Sequence, residues 1–397
     1  MISVVVSTGS VDVAGKSNAK NAAAAPVVLR PFVVGTRDID KQDYNQTASF
    51  ASGTHFPTYQ ISPNGFFSGL TVLVTVVAAG NAATVTFAAD GPFNAIQLFQ
   101  LSDVNNKPIV GPMNGWDIAV VINKYGGYWD QPGSDPRQSP QFTAVTGAGS
   151  TGGSFTYALD VPIEVRRRDA FGALFNASSS STYSVDIYSE APTNVYGTPP
   201  TTVPTTMNIT IQLWGRSDPT QTDKLGNAVA QEPPASGSIQ YWAKQSYSGL
   251  STGAFDFRLN GIDNFVRELV FVLRDSGGSR VNGESAWPSP FMFQYETLQT
   301  NARSKAFWRD RIFRYYGYTG ANEAAGGPDN GVFPLNYNRD WTSGVGNETG
   351  LGYLPVSAAT NLEPNGSIGS GGTAPYTFYV YVNKIVPYGN VLAMTGR

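Results

Sequence analysis

The sequence has no cysteine among its 397 residues, which removes disulfides, thiolate nucleophiles and thiolate metal sites together. It has one histidine, His55. No site needing two imidazole ligands can be built, and a Ser–His–Asp relay would have to pass through that single ring. Charged residues are scarce at 14%, against roughly 25% in an ordinary soluble domain. The 26 basic and 29 acidic side chains leave a net charge of −3, without the Lys/Arg clustering that a nucleic-acid footprint needs. Sequence-specific nucleic-acid binding is not expected. No apolar run approaches the 18 or more residues of a membrane helix. Met1–Ser10 lacks the charged start and apolar stretch of a secretory leader, so none is expected, and the missing cysteines lean towards assembly in a reducing cytoplasm.

Glycine (43), proline (26) and aromatic residues (12%) are plentiful, and 41% of the chain is hydrophobic. Many turns, short strands and a packed core follow, so the fold is expected to be all-β. Leu70, Val72, Val74 and Val76 alternate with Thr71, Leu73, Thr75 and Val77, the pattern of one largely buried strand. The same period runs through Tyr183–Tyr188, Met207–Leu213 and Phe378–Asn383. One helix is expected over Asn301–Phe313, where Leu298, Ala302 and Ala306 recur every four residues and Arg303, Lys305, Arg309 and Arg311 supply the polar side.

Residues 1–30, with Lys16, Lys20 and Arg30, carry too little apolar mass to fold alone and read as an arm. Asp218–Gly237, with Glu232-Pro233-Pro234, reads as a linker. Between these segments the chain looks written twice. The pairs Phe87/Phe257, Asp103/Asp275, Trp116/Trp287, Pro162/Pro334 and Met207/Phe378 recur in order at separations of 170 to 172 residues. A period this long means two whole domains, not a solenoid. Units of this size suit eight-stranded jelly rolls, whose packed sheets protect their edges. The expected architecture is therefore two tandem eight-stranded jelly rolls, 31–217 and 238–397, with an N-terminal arm and one short helix in a loop of the second roll.

Candidate chemistry is thin. His55, flanked by Thr54, Phe56 and Pro57, reads as a turn residue and not a catalyst. Gly147-Ala148-Gly149-Ser150-Thr151-Gly152 spells a dinucleotide fingerprint, but a strand and not a helix follows, so it reads as a loop. Asp38, Asp40 and Asp43 lack the glycine and terminal glutamate of a calcium loop and read as a solvated acidic turn. No catalytic residue, metal or cofactor is expected. Arg166-Arg167-Arg168 reads as an interface or edge cluster. A carbohydrate-binding or glycan-cleaving β-protein is the alternative, because the 20 Tyr and 7 Trp could stack on sugars.

Four patches carry a resemblance. They are Phe93–Phe99, Asp169–Asn176, Leu269–Gly278 leading into the basic segment Asn301–Phe313, and Gly331–Asp340. In their order, and across nearly the whole chain from Leu29, the sequence resembles the tectivirus-type double jelly-roll major capsid proteins of membrane-containing bacterial viruses, distantly related to adenovirus hexon. The resemblance implies a non-enzymatic shell subunit in the virion. It implies homotrimers of pseudo-hexagonal outline that contact neighbouring capsomers, vertex and minor capsid proteins and an internal membrane. It also places the arm, with Lys16, Lys20 and Arg30, on the inner face, and leaves Arg166, Arg167, Arg168, Arg303, Arg309 and Arg311 as candidate interface residues. In the first roll, Trp129–Gly133 matches the helix and is expected to be non-helical.

Overall fold

The computed structural model describes residues 32–79, 84–126, 141–167, 169–180, 182–219, 238–281, 287–316, 331–338, 350–357 and 360–387. The arm with Lys16, Lys20 and Arg30, nearly all of the expected linker, Trp129–Gly133 and Arg168 lie outside the described residues.

The first unit contains β1 (Asp38–Ser49), β2 (Tyr59–Gln60), β3 (Phe66–Val76), β4 (Thr86–Phe87), β5 (Ile96–Ser102) and β6 (Pro108–Met113). After a buried π-helical segment, Asp117–Tyr125, come β7 (Thr143–Ala144), β8 (Phe155–Pro162), β9 (Leu174–Phe175), β10 (Ser184–Ser189), β11 (Tyr196–Thr198) and β12 (Thr206–Arg216). The second unit contains β13 (Ile239–Leu250), β14 (Gly253–Asp256), β15 (Asn264–Arg274), β16 (Phe291–Tyr295) and β17 (Leu298–Arg303). Helix Lys305–Tyr316 follows, then β18 (Val332–Asn336), β19 (Leu354–Val356), β20 (Leu362–Ile368) and β21 (Tyr376–Val386).

Each unit folds its eight principal strands in the same way. One sheet runs β1-β12-β3-β8 in the first unit and β13-β21-β15-β18 in the second; the facing sheet runs β2-β10-β5-β6 and β14-β20-β16-β17. Counted along each unit, the orders are first-eighth-third-sixth and second-seventh-fourth-fifth, which is a jelly roll. The chain is a double jelly roll. A short parallel contact, Trp242 opposite Val110, joins β13 to β6, so a sheet of each roll merges into one nine-stranded sheet.

The alternation read from the sequence sets the core. Leu70, Val72, Val74 and Val76 on β3 are buried while Thr71, Leu73 and Thr75 are half-buried. In the second roll Phe271, Phe291 and Phe378 pack ring against ring between the two sheets. β15 is buried on both faces from Val266 to Leu273, because its outer face meets the first roll.

Three expectations need correction. The expected helix begins later, at Lys305, because Leu298–Arg303 pairs with β16 and the ladder takes those residues. The first roll carries a helical segment after its fifth strand, Asp117–Tyr125, where none is expected from the sequence. The constant separation is also not the true alignment of the rolls. Pro162/Pro334 and Met207/Phe378 fall on equivalent strands, but Asp103 follows the fourth strand of its roll and Asp275 the third. Trp116 follows a fifth strand and Trp287 precedes a fourth, while Phe87 ends β4 between third and fourth strands and Phe257 follows a second. True equivalents drift: the first strands start at Asp38 and Ile239, 201 residues apart, and the last at Thr206 and Tyr376, 170 apart. Longer connections in the first roll, such as Met113 to Phe155 against Arg303 to Val332, cause the drift.

The false anchor has a local cause. Asp103 and Asp275 build the same turn. In one, the carboxylate Oδ1 accepts from the backbone N–H of Asn105 and Lys107; in the other it accepts from Gly277 and Ser279. Backbone bonds Asp103 N–H to Lys107 O and Asp275 N–H to Ser279 O close both turns. The third turn residue has positive φ in each, Asn106 at 60° and Gly278 at 77°, where Asn and Gly are the tolerated residues. Tight turns with one chemistry arose at two different corners.

Candidate functional site

The most elaborate polar chemistry lies in the seam between the rolls. Segment Asp117–Tyr125 is buried except for Lys124, and it is pressed against the outer face of β13, β21 and β15. Asn114 and Asp117 cap each other at its start: the Asp117 N–H donates to Asn114 Oδ1 (2.8 Å), and the Asn114 N–H donates to Asp117 Oδ2 (3.1 Å). The fully buried Asp117 carboxylate also accepts from Lys244 Nζ (2.7 Å) and from the Tyr381 hydroxyl (2.6 Å). Burial, followed by the Asp117 charge, holds the Tyr381 phenol well above its ordinary pKa, so it stays a donor. At the other end of the segment, Arg267 donates to Gly126 O (3.1 Å) and to Asn383 Oδ1 (3.2 Å). Gln240 donates to the Pro162 and Ile163 carbonyls, each at 3.0 Å.

Above the segment, Asp90 of the first roll grips two arginines of the second. Arg274 Nη2 and Arg280 Nε reach its two oxygens at 2.7 and 2.8 Å. Both guanidinium groups lie over the Trp116 ring, 5.0 and 4.9 Å from its centroid, a cation–π arrangement that strengthens when desolvated. Charges of opposite sign on the two rolls are thereby paired and satisfied, the condition under which burying them is tolerable. The arrangement can fix one roll against the other.

The expected interface arginines are dispersed. Arg166 is buried in its own turn, bonded to Asp169 through Nη2 (2.8 Å) and Nε (2.9 Å) and stacked on Phe171. It staples a loop and offers no free edge. Arg167 lies over Trp214 at 5.6 Å. Arg303 closes β17 and lies over Trp308, while Arg309 and Arg311 belong to helix Lys305–Tyr316.

Arg167 lines a notch of about 340 Å³ with Asp38, Ile39, Asp40, Ser68, Glu164, Trp214, Gly215 and Arg216. Glu164 is nearly buried at its floor. Burial pushes its carboxyl up to about 7, against the pull of a Ser68 hydrogen bond and the Arg216 and Arg167 charges. Asp38 pairs with Arg216 at 3.0 Å. Asp43 turns elsewhere, to Lys41 (2.7 Å) and the Tyr59 hydroxyl (3.0 Å). Burial alone would raise its carboxyl, but hydrogen bonds from Lys41, Ser62 and Tyr59 bring it below the ordinary value. The three aspartates do not converge, and among the described residues no three acidic or histidine side chains gather as a metal site would require.

His55 stacks on Tyr188 with ring centroids 4.4 Å apart and bonds to Asp186 at 3.2 Å, beside Thr58 on the same oxygen. The Gly147–Gly152 stretch is the loop between β7 and β8, closed by Val145 N–H to Ser154 O. Trp116, Trp242, Trp287 and Trp308 are fully buried, so none of these four indoles presents a face to a sugar.

No family model matches the sequence, and no curated protein matches it. Its fold does match solved structures. The crystal structure of the STIV MCP is 14% identical with a TM-score of 0.58, over 88% of this chain and 97% of that one. A chain in the atomic structure of Sulfolobus Turreted Icosahedral Virus is 14% identical with a TM-score of 0.56, over 88% and 91%. PBCV-1 VP54, fitted into a reconstruction of the virophage Sputnik, is 10% identical with a TM-score of 0.52, over 90% and 95%. The chain has the fold of the double jelly-roll major capsid proteins.

Proposed function

We propose that this chain is a major capsid protein, a non-enzymatic subunit of an icosahedral virus that infects bacteria and encloses an internal membrane. The observation that carries the reading is the seam. Two jelly rolls are locked by paired buried charges and a shared sheet into one block with two similar walls. A block of that kind tiles: three copies give six similar walls, and a closed ring leaves none unmatched. The unit in solution is a pseudo-hexagonal homotrimer, assembled in the host cytoplasm and incorporated into the virion. The two rolls occupy 31–217 and 238–397, joined by the linker 218–237. The arm 1–30, with Lys16, Lys20 and Arg30, lies on the inner shell face, against neighbouring capsomers or the membrane. Two lysines add at most about 2 kcal/mol of attraction to anionic lipid, so protein neighbours dominate there. Vertex and minor capsid proteins complete the shell.

The test is the native mass of the purified chain at micromolar concentration. A species of three 42.4 kDa chains is expected. A monomer at that concentration overturns the reading.

A further inference from the structure

Inside one chain, the helical segment of the first roll is covered by the second roll's sheet. The same two elements recur with the rolls exchanged, and among the described residues each has one exposed side there. Asp117–Tyr125 follows the fifth strand of the first roll; helix Lys305–Tyr316 follows the fifth strand of the second. The first is buried, whereas the second leaves Phe307 68% exposed and the Arg314 side chain 72% exposed.

The sheets can be aligned through a shared irregularity. Pairing of β15 with β21 skips Arg267, and pairing of β3 with β12 skips Ser68. Setting these two bulges together puts Asp40 where Trp242 stands and Gln42 where Lys244 stands. Trp242 is buried and Lys244 is paired across the seam. Asp40 and Gln42 are exposed, and Asp40 lines the notch. Among the described residues, one roll thus carries a helix with one exposed side and the other an exposed sheet face, while the seam shows how such a helix and such a face fit. The exposed side of the helix presents Phe307 and the Arg314–Asp310 pair, and the notch presents Asp40 beside the Asp38–Arg216 pair.

We propose that the outer face of β1-β12-β3, with its notch, is the socket for helix Lys305–Tyr316 of a second copy of the chain. The contact is heterologous, head to tail, and repeats the internal seam at each subunit boundary. It rests on the homotrimer reading and names the surface that joins the subunits. Aligning the two helical segments at their first residues places Arg314 at the position of Gly126, which packs beneath Trp242. Arg314 of one copy therefore meets Asp40 of the next.

The chain has no native cysteine, so engineered pairs are unambiguous. A double variant, Asp40→Cys with Arg314→Cys, is oxidised with copper phenanthroline and run on a denaturing gel, and its native mass is measured in parallel. A second double variant, Gln42→Cys with Phe307→Cys, repeats the test at other exposed positions. Covalent species of two and three chains are expected from the double variants and not from the single substitutions. A native trimer without cross-links in either double variant overturns the socket while leaving the trimer reading intact. Cross-linking of Arg314→Cys alone overturns it too, because that signals a two-fold contact between helices. A monomeric, uncross-linked chain overturns both readings.

Discussion

Replacing Lys244 with methionine removes the cation paired with the fully buried Asp117 carboxylate. That carboxylate would keep only the Tyr381 hydroxyl and the Asn114 N–H. Removing one partner of a buried pair costs about 3–5 kcal/mol, mostly the penalty of the charge left behind. The reverse substitution, Asp117→Asn, should cost less, about 1–3 kcal/mol. The Lys244 side chain is 20% exposed and can turn to solvent, and Asn still accepts from Tyr381. In the double variant the stranded charge is gone, so its cost should fall short of the sum of the singles by about 2 kcal/mol, well above the roughly 0.5 kcal/mol scatter of independent sites. Urea unfolding followed by tryptophan fluorescence reads all four corners of the cycle, since Trp116 and Trp242 both sit in the seam. Additive single costs would refute the argument that Lys244 neutralises Asp117. A separate early transition in Lys244→Met would further show that this pair makes the two rolls unfold as one.

Glu164 should make the protein less stable as pH rises. Its folded carboxyl is raised to about 7 from the ordinary 4.5, so the folded state holds the proton longer, and stability is lost between about pH 4.5 and 7, by at most about 3 kcal/mol. Glu164→Gln should flatten that slope in denaturation curves taken from pH 5 to 8; an unchanged slope would assign it to other groups. The turn carboxylates each accept two backbone bonds, so Asp103→Ala and Asp275→Ala should each cost about 1–3 kcal/mol, measured by the same unfolding assay. Equal stability of variant and parent would show that the backbone closes these turns unaided.

The strands were legible because their signal is local. Leu70–Val76 and Met207–Leu213 alternate every second residue, and one buried face suffices to write that pattern. Strand order is not local, and sequence alignment across the rolls failed where local chemistry repeated by coincidence. Asp103 and Asp275 look equivalent because an aspartate before a four-residue turn has one good way to close it, whichever strand precedes it. The helix at Lys305 was visible, though its start was misplaced, because Leu298–Arg303 satisfies strand and helix patterns and only pairing with β16 decides between them.

The seam left a fainter mark. Ile118-Ala119-Val120-Val121-Ile122 is a run of five apolar residues, in which periodicity cannot tell a buried helix from a strand. Asp117 and Lys244 lie 127 residues apart, and neither stands out in a chain with 55 charged side chains. Their pairing becomes visible only once both rolls are folded. A chain this poor in charge nevertheless places several of its ion pairs, Asp117–Lys244 and Asp90 with Arg274 and Arg280, where the two rolls meet. Buried pairs of this kind add little net stability over a well-packed apolar surface, but they penalise every misaligned register by stranding a charge. The angle between the rolls has to be reproducible if identical blocks are to close a ring, and charges paired at 2.7 to 2.8 Å across the seam set that angle more sharply than apolar contact alone would.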